Sequence, residues 1–160
     1  IYLNEELWRA YDLLGVIYDY QERYSLAQDA YTAAILISPE RGQLNNNLGA
    51  SYALAGKHEK ALHQFREAVE KGYEKKKVYN NIALMLAHLK RYNEALQWFK
   101  KGGSTAEAYN NLGCVYMQHG NYSKAQSSFT RAIEAKRDYY ELAAENRNKT
   151  RIAEGREASR

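Results

Sequence analysis

The chain has 160 residues, with 23 Lys plus Arg against 19 Asp plus Glu and a net charge of +4. That length suits one domain, and the mild basic bias serves solubility and an acidic partner alike. A single cysteine, Cys114, excludes an internal disulfide framework, and no apolar run reaches the roughly 18 residues that a membrane-spanning helix needs.

Only one proline, Pro39, occurs, so an all-helical chain is expected. The chain starts at Ile1 with neither Met nor a basic-then-apolar leader, and reads as a piece of a longer protein. In chain order, helices are predicted near 5–20, 24–37, 40–55, 58–71, 75–88, 92–101, 105–118, 122–136 and 139–154. Ser38-Pro39-Glu40 has the composition of a helix start with Pro in the first turn. Gly56 and Gly120 sit where left-handed caps should stop helices. Ser104 to Glu107 and Asp138 to Glu141 have capping-box spacing. The very polar run Glu145 to Lys149 suits a terminal helix facing water.

The elements repeat. Leu14-Gly15, Leu48-Gly49 and Leu112-Gly113 are each followed by Tyr18, Tyr52 or Tyr116, and Ile82-Ala83 is a weaker copy. The interval from Gly15 to Gly49 is 34 residues, from Gly49 to Ala83 again 34, and from Ala83 to Gly113 only 30. Twelve residues past each anchor stand Ala27, Ala61, Ala95 and Ala125, and four further on Tyr31, Phe65, Phe99 and Phe129. Small residues let antiparallel helices approach, and large ones at helical spacing fill the gaps. With Tyr11, Tyr79 and Tyr109 four before the anchors and Tyr24, Tyr92 and Tyr122 between the two helices, ten of the 15 tyrosines fall on packing positions, so the tyrosine excess is assigned to the core. After Phe99, Lys100-Lys101-Gly102-Gly103 leads straight to the Ser104 cap, so the second helix of the third repeat has lost about a turn.

This pattern resembles the tetratricopeptide repeat family, over about residues 8–139. Pro39 matches the family's closing proline, which Tyr73 and Arg137 replace later. The resemblance implies an all-α, right-handed superhelical α-solenoid of four hairpins plus a C-terminal capping helix. We divide 1–160, taken as one domain, into repeats at about 8–41, 42–75, 76–105 and 106–139, with the capping helix at about 139–154. The Lys101-Gly102-Gly103-Ser104 segment before Tyr109-Asn110-Asn111-Leu112-Gly113 is similar to repeats of the bacterial Flp/Tad pilus-assembly type. That likeness implies secretion or pilus biogenesis, although a generic bacterial repeat protein fits as well.

In this family the first helix of each hairpin lines a concave surface. The implied inward positions just before the anchor hold Asp12, Asn46, Asn80 and Asn110, with Asn47, Asn81 and Asn111 beside the last three. Asparagine is a mediocre helix residue, and its amide both donates and accepts. Three Asn-Asn pairs at one place therefore suggest a ladder that grips the backbone of an extended peptide, against the alternative that they satisfy neighbouring helices. Lys77, Asp19, Tyr20, His88 and Gln118 occupy further inward positions and complete the candidate site. Only Asn47 and Lys77 match the family's carboxylate-clamp constellation, which disfavours capture of a C-terminal carboxylate.

Catalysis finds no constellation. His58 and His63 are five apart, poor spacing for one helix face. With one Cys, paired-cysteine zinc sites are excluded, and neither a metal nor a cofactor is expected. A basic edge of Lys75, Lys76, Lys77, Lys90, Arg91, Lys100 and Lys101 could meet nucleic acid, but acidic groups interrupt the implied groove and a solvated face is the commoner outcome. The expected role is a non-catalytic scaffold or adaptor for a protein or peptide. Homo-oligomerisation and self-assembly remain compatible with the sequence.

Overall fold

A glycine inside a helix costs about 0.5–1 kcal/mol relative to Ala, so glycines at constant spacing need a packing reason. In the computed structural model that reason is an aromatic ring from the following helix. A Cβ on Gly15 would lie 2.6 Å from Tyr31 Cε1, on Gly49 2.8 Å from Phe65 Cδ1, and on Gly113 2.5 Å from Phe129 Cε1. Each ring lies sixteen residues past its glycine and is buried, as is Phe99 at the matching place in the third repeat. Burying a side chain of this size contributes about 1.5–3 kcal/mol.

The structure describes residues 2–135 and 140–158, and the side chains of 6–135 and 141–158. The described residues form nine helices and no strand: α1 (Tyr2–Tyr20), α2 (Tyr24–Ile37), α3 (Gly42–Leu54), α4 (His58–Glu70), α5 (Lys76–His88), α6 (Tyr92–Gly102), α7 (Thr105–Gln118), α8 (Tyr122–Ala135) and α9 (Tyr140–Glu157). Their order is that of four helical hairpins and a closing helix. The chain falls into two compact units, Ile1–Met85 and Leu86–Arg160. In the first, α1 packs on α2, α2 on α3 and α3 on α4. In the second, α6 packs on α7, α7 on α8 and α8 on α9. The predicted helices match these to within a few residues. At 11 residues α6 is shorter than α4 with 13 or α8 with 14, as the shortened third interval requires.

The caps show where local signals win and where packing overrides them. Ser104 Oγ accepts from Glu107 N at 3.2 Å while Ser104 N donates to Glu107 Oε2 at 2.7 Å, the reciprocal capping box that the spacing predicts. The box expected at Asp138 lies outside the described residues. Ser38-Pro39-Glu40 does not start a helix. Those residues form a turn in which Arg41 N donates to Ser38 O at 3.3 Å, and α3 begins at Gly42. At that start a Cβ would meet Ala68 O at 2.6 Å, so the close approach of the end of α4 leaves room only for glycine.

Gly56 and Gly120 are left-handed, at φ 71° and 70°, as expected. At the matching repeat positions Glu22 and Lys90 are left-handed too, at φ 57° and 61°. Every first helix therefore ends the same way, whether or not the residue suits it. A left-handed conformation costs an ordinary L-residue roughly 1–2 kcal/mol, partly offset by glycine's greater entropy loss on folding.

Two stability changes follow. Gly113→Ala places a methyl group within 2.5 Å of the Phe129 ring, and should cost about 1–3 kcal/mol by overpacking, read as a lowered melting temperature. Lys90→Gly should instead stabilise, by up to about 1 kcal/mol. A melting temperature unchanged by Gly113→Ala would show that the ring does not set the helix spacing.

Candidate functional site

Burying a polar group demands a partner, and the predicted inward positions divide according to whether they have one. In the first unit, Asn47 Nδ2 donates to Asp12 Oδ1 at 2.8 Å, joining α3 to α1. One face of α1 further on, Asp19 accepts from Ser51 Oγ of α3 at 2.7 Å and from Tyr31 OH of α2 at 3.1 Å. Asp19 thus ties three helices together. Burial and the Asp19 charge push the Tyr31 phenol pKa well above its ordinary value. Asn46 is buried, and its Nδ2 donates to Asn47 Oδ1 at 3.3 Å while its Oδ1 has no partner among the described residues. Tyr20 is 87 % exposed, on the same helix as exposed Leu13 and Ile17. Lys77 is exposed, and Asn80 and Asn81 are half-buried with no side-chain hydrogen bond among the described residues.

In the second unit, Asn146 Nδ2 of α9 donates to Asn110 Oδ1 of α7 at 2.9 Å. The two bonds, Asn47 to Asp12 and Asn146 to Asn110, span 35 and 36 residues and join successive first helices at equivalent places. Thr150, also buried, donates to Met117 Sδ at 3.2 Å and to Asn146 O at 2.9 Å. The polar run of α9 therefore does not simply face water: Glu145, Asn148 and Lys149 are exposed, while Asn146 turns in to anchor the closing helix. Asn111 is half-buried without a side-chain bond among the described residues, and Gln118 is exposed. His88 Nδ1 lies 3.4 Å from His119 Nε2, and His119 Nδ1 lies 3.1 Å from Tyr92 OH. Cys114 is half-buried, and burial raises its thiol pKa, which makes it a poor nucleophile.

Two residues outside the predicted set share this framework. Buried Asn45 donates to Gln64 Oε1 at 2.9 Å and accepts from Lys71 Nζ at 2.8 Å, binding α3 to the body and end of α4. Asn146 is the other, and its 36-residue offset from Asn110 was the one sequence signal that could have found it. Among the described residues no group of three or more His, Cys, Asp or Glu side chains is arranged to hold a metal ion. None of their helices is long and apolar enough to cross a membrane.

With this geometry established, comparison with known proteins fixes the class. Family models described as tetratricopeptide repeat match residues 13–64 and 77–138. The chain belongs to the tetratricopeptide repeat family, whose repeats generally mediate contacts between proteins. No curated protein matches the sequence. Among solved structures, PilF of Pseudomonas aeruginosa is similar at 21% identity and a TM-score of 0.66, over 96% of this chain and 71% of that one. PilW, described as a widely conserved type IV pilus biogenesis factor, has 19% identity and a TM-score of 0.66, over 94% and 71%. YrrB, described as a tetratricopeptide protein with an unusual peptide-binding site, has 17% identity and a TM-score of 0.63, over 91% and 76%. At these identities the likeness is one of fold.

Asp12 gives the site a pH signature. Burial holds its carboxyl pKa above the ordinary 3.8, against the opposing bond from Asn47. A carboxyl whose folded value is raised opposes folding when ionised. That cost is absent below the unfolded value, grows as pH rises through the folded value, and is fully present at neutral pH. Asp12→Asn keeps an oxygen acceptor for Asn47 without the charge. It should raise the melting temperature at pH 7, with the gain vanishing near pH 3. A gain independent of pH would show that desolvation of the charge is not its source.

Proposed function

We propose that the chain is a non-catalytic scaffold or adaptor that holds an extended polypeptide segment against the inner faces of its first helices. One observation carries this reading. The amide positions before the Leu-Gly anchors are only partly used by the fold: Asn47 and Asn110 are tied to other helices, while Asn80, Asn81 and Asn111 are half-buried and have no side-chain bond among the described residues. A half-exposed amide can both donate to and accept from a guest backbone without reading its side chains. Asp12, Asp19 and Asn46 would then brace the surface, and Tyr20, Lys77, His88 and Gln118 would contact the guest's side chains. The peptide-binding site named for YrrB and the pilus-biogenesis role named for PilW are the support for looking first at a bacterial pilus or secretion assembly.

The test is to capture a partner with the intact chain and measure affinity and melting temperature on the same variants. Asn81→Ala and Asn111→Ala should each lower affinity by about 0.5–1.5 kcal/mol, the net worth of an ordinary hydrogen bond, with little change in stability. Asn47→Ala should instead lower stability with little change in affinity, because it removes the bond that ties α3 to half-buried Asp12 of α1. Full affinity in both Asn81→Ala and Asn111→Ala would move the binding surface away from the inner helices.

A further inference from the structure

The second unit carries a feature that the inner-face reading does not use. Between α6 and α8, over the outer side of α7, lies a hollow of about 160 Å³. That is well below the roughly 300–1,000 Å³ of a small-molecule pocket, so it takes side-chain tips rather than a cofactor. Its floor is Tyr109, Leu112 and Tyr116, and Lys124, Ser127 and Arg131 of α8 form one wall. Lys100 of α6 places its Nζ 5.4 Å from the centre of the Tyr109 ring, whose other cation is Arg131, with its Cζ at 5.6 Å. Lys124 Nζ stands 5.7 Å from the Tyr116 ring. No Asp or Glu lines the hollow among the described residues.

Repeat register shows that this absence of acid is particular to α8. Its outward row is Lys124, Ser127, Ser128 and Arg131. The same row carries Asp29 on α2, Glu67 on α4 and Glu94 on α6. On that row α8 alone carries cations and no carboxylate, and the one acid of the helix, Glu134, lies beyond it near the C-terminal end.

We propose that this outer hollow is a docking site for an acidic peptide segment, distinct from the inner faces of the first helices. Carboxylates of the guest sit between Lys124, Arg131 and Lys100 at the mouth of the hollow. Cations held over aromatic rings keep their full charge for a second partner, and the phenol rings fix where those charges stand. Nucleic acid fits this place less well. Single strands need open ring faces on which bases stack, whereas Leu112 and Tyr116 are buried and the ring of Tyr109 already faces two cations.

The probe is fluorescein-labelled decaglutamate, with binding to the full chain read by anisotropy at low and at physiological salt. The double variant Lys124→Gln/Arg131→Gln changes exposed side chains, so circular dichroism should show an intact fold. It should weaken binding by about tenfold or more, the scale of losing 1.4 kcal/mol of interaction. A control, Lys75→Gln/Lys76→Gln, removes the same net charge from the first unit and should change affinity less than about twofold. Lys100→Gln tests the opposite wall and gives an independent reading should the double variant melt early. Binding that falls with Asn81→Ala but survives Lys124→Gln/Arg131→Gln would place decaglutamate on the inner face and count against the outer hollow. Absence of binding, equal losses in both double variants, or tighter binding of an oligo-dT of the same length by the same residues would each overturn the proposal.

Discussion

The contact on which the rest of the structure depends is an aromatic ring seated on a glycine. In three of the four hairpins the second helix offers Tyr31, Phe65 or Phe129, and the first helix offers a position with no side chain at all. Because the ring occupies the volume that a Cβ would fill, it fixes both the spacing of the two helices and the register of one along the other. Everything else on the hairpin inherits that register: the small residues Ala27, Ala61 and Ala125, the left-handed stop after each first helix, and the faces left pointing away from the contact. At Gly15, Gly49 and Gly113 a smaller ring would leave a void and a larger anchor would clash, whereas the third hairpin carries Ala83 at the anchor with Phe99 sixteen residues on.

Once packing has claimed those positions, polar side chains link one hairpin to the next. The Asp12–Asn47 and Asn110–Asn146 bonds are the same device used twice, an amide donating to an oxygen on the preceding first helix. Asp19 adds a second link by accepting from both Ser51 and Tyr31. Such bonds are worth little individually, on the order of 1 kcal/mol. They matter because stacked hairpins touch only their neighbours, so specificity of stacking must be written into each junction. Asn46 Oδ1 stands at the repeat position of the Asp12 and Asn110 acceptors and is buried, yet has no donor among the described residues.

Much of this was legible in the sequence, for a physical reason. Repeats restate the same tertiary contact at nearly constant spacing, so long-range packing leaves a periodic trace that a single domain would not. The helices, the Gly56 and Gly120 stops and the Ser104–Glu107 box could all be read that way. The remaining features have no local trace. Ser38-Pro39-Glu40 has the right residues for a helix start, but those residues form a turn and α3 begins two residues later, at Gly42, where α4 approaches too closely for a side chain. The left-handed Glu22 and Lys90 show up only when aligned with glycines in other repeats. Asn146 lies in a run whose polarity suits water, and neither it nor Asn45 has a local signal of its bond, since their partners lie 36 and 19 residues away.

The same logic says where recognition can reside in such a chain. Positions that pack must be alike in every repeat and cannot encode a partner. Positions whose side chains the packing does not use are free of that duty, even where, as in the Asn-Asn pairs, the residue type repeats. Before the anchors it has spent Asn47 and Asn110 on its own framework and left Asn81 and Asn111 half-exposed without bonds among the described residues. On the outward rows it keeps a carboxylate on α2, α4 and α6 and drops it on α8. Neither departure is required by the ring-on-glycine contact, because both lie on faces which that contact leaves open. A side chain under no packing constraint drifts toward whatever is soluble, and a mixture of charges is the usual result. A row that instead keeps one sign of charge, over a floor of tyrosines whose rings those cations cover, is ordered beyond what solubility asks.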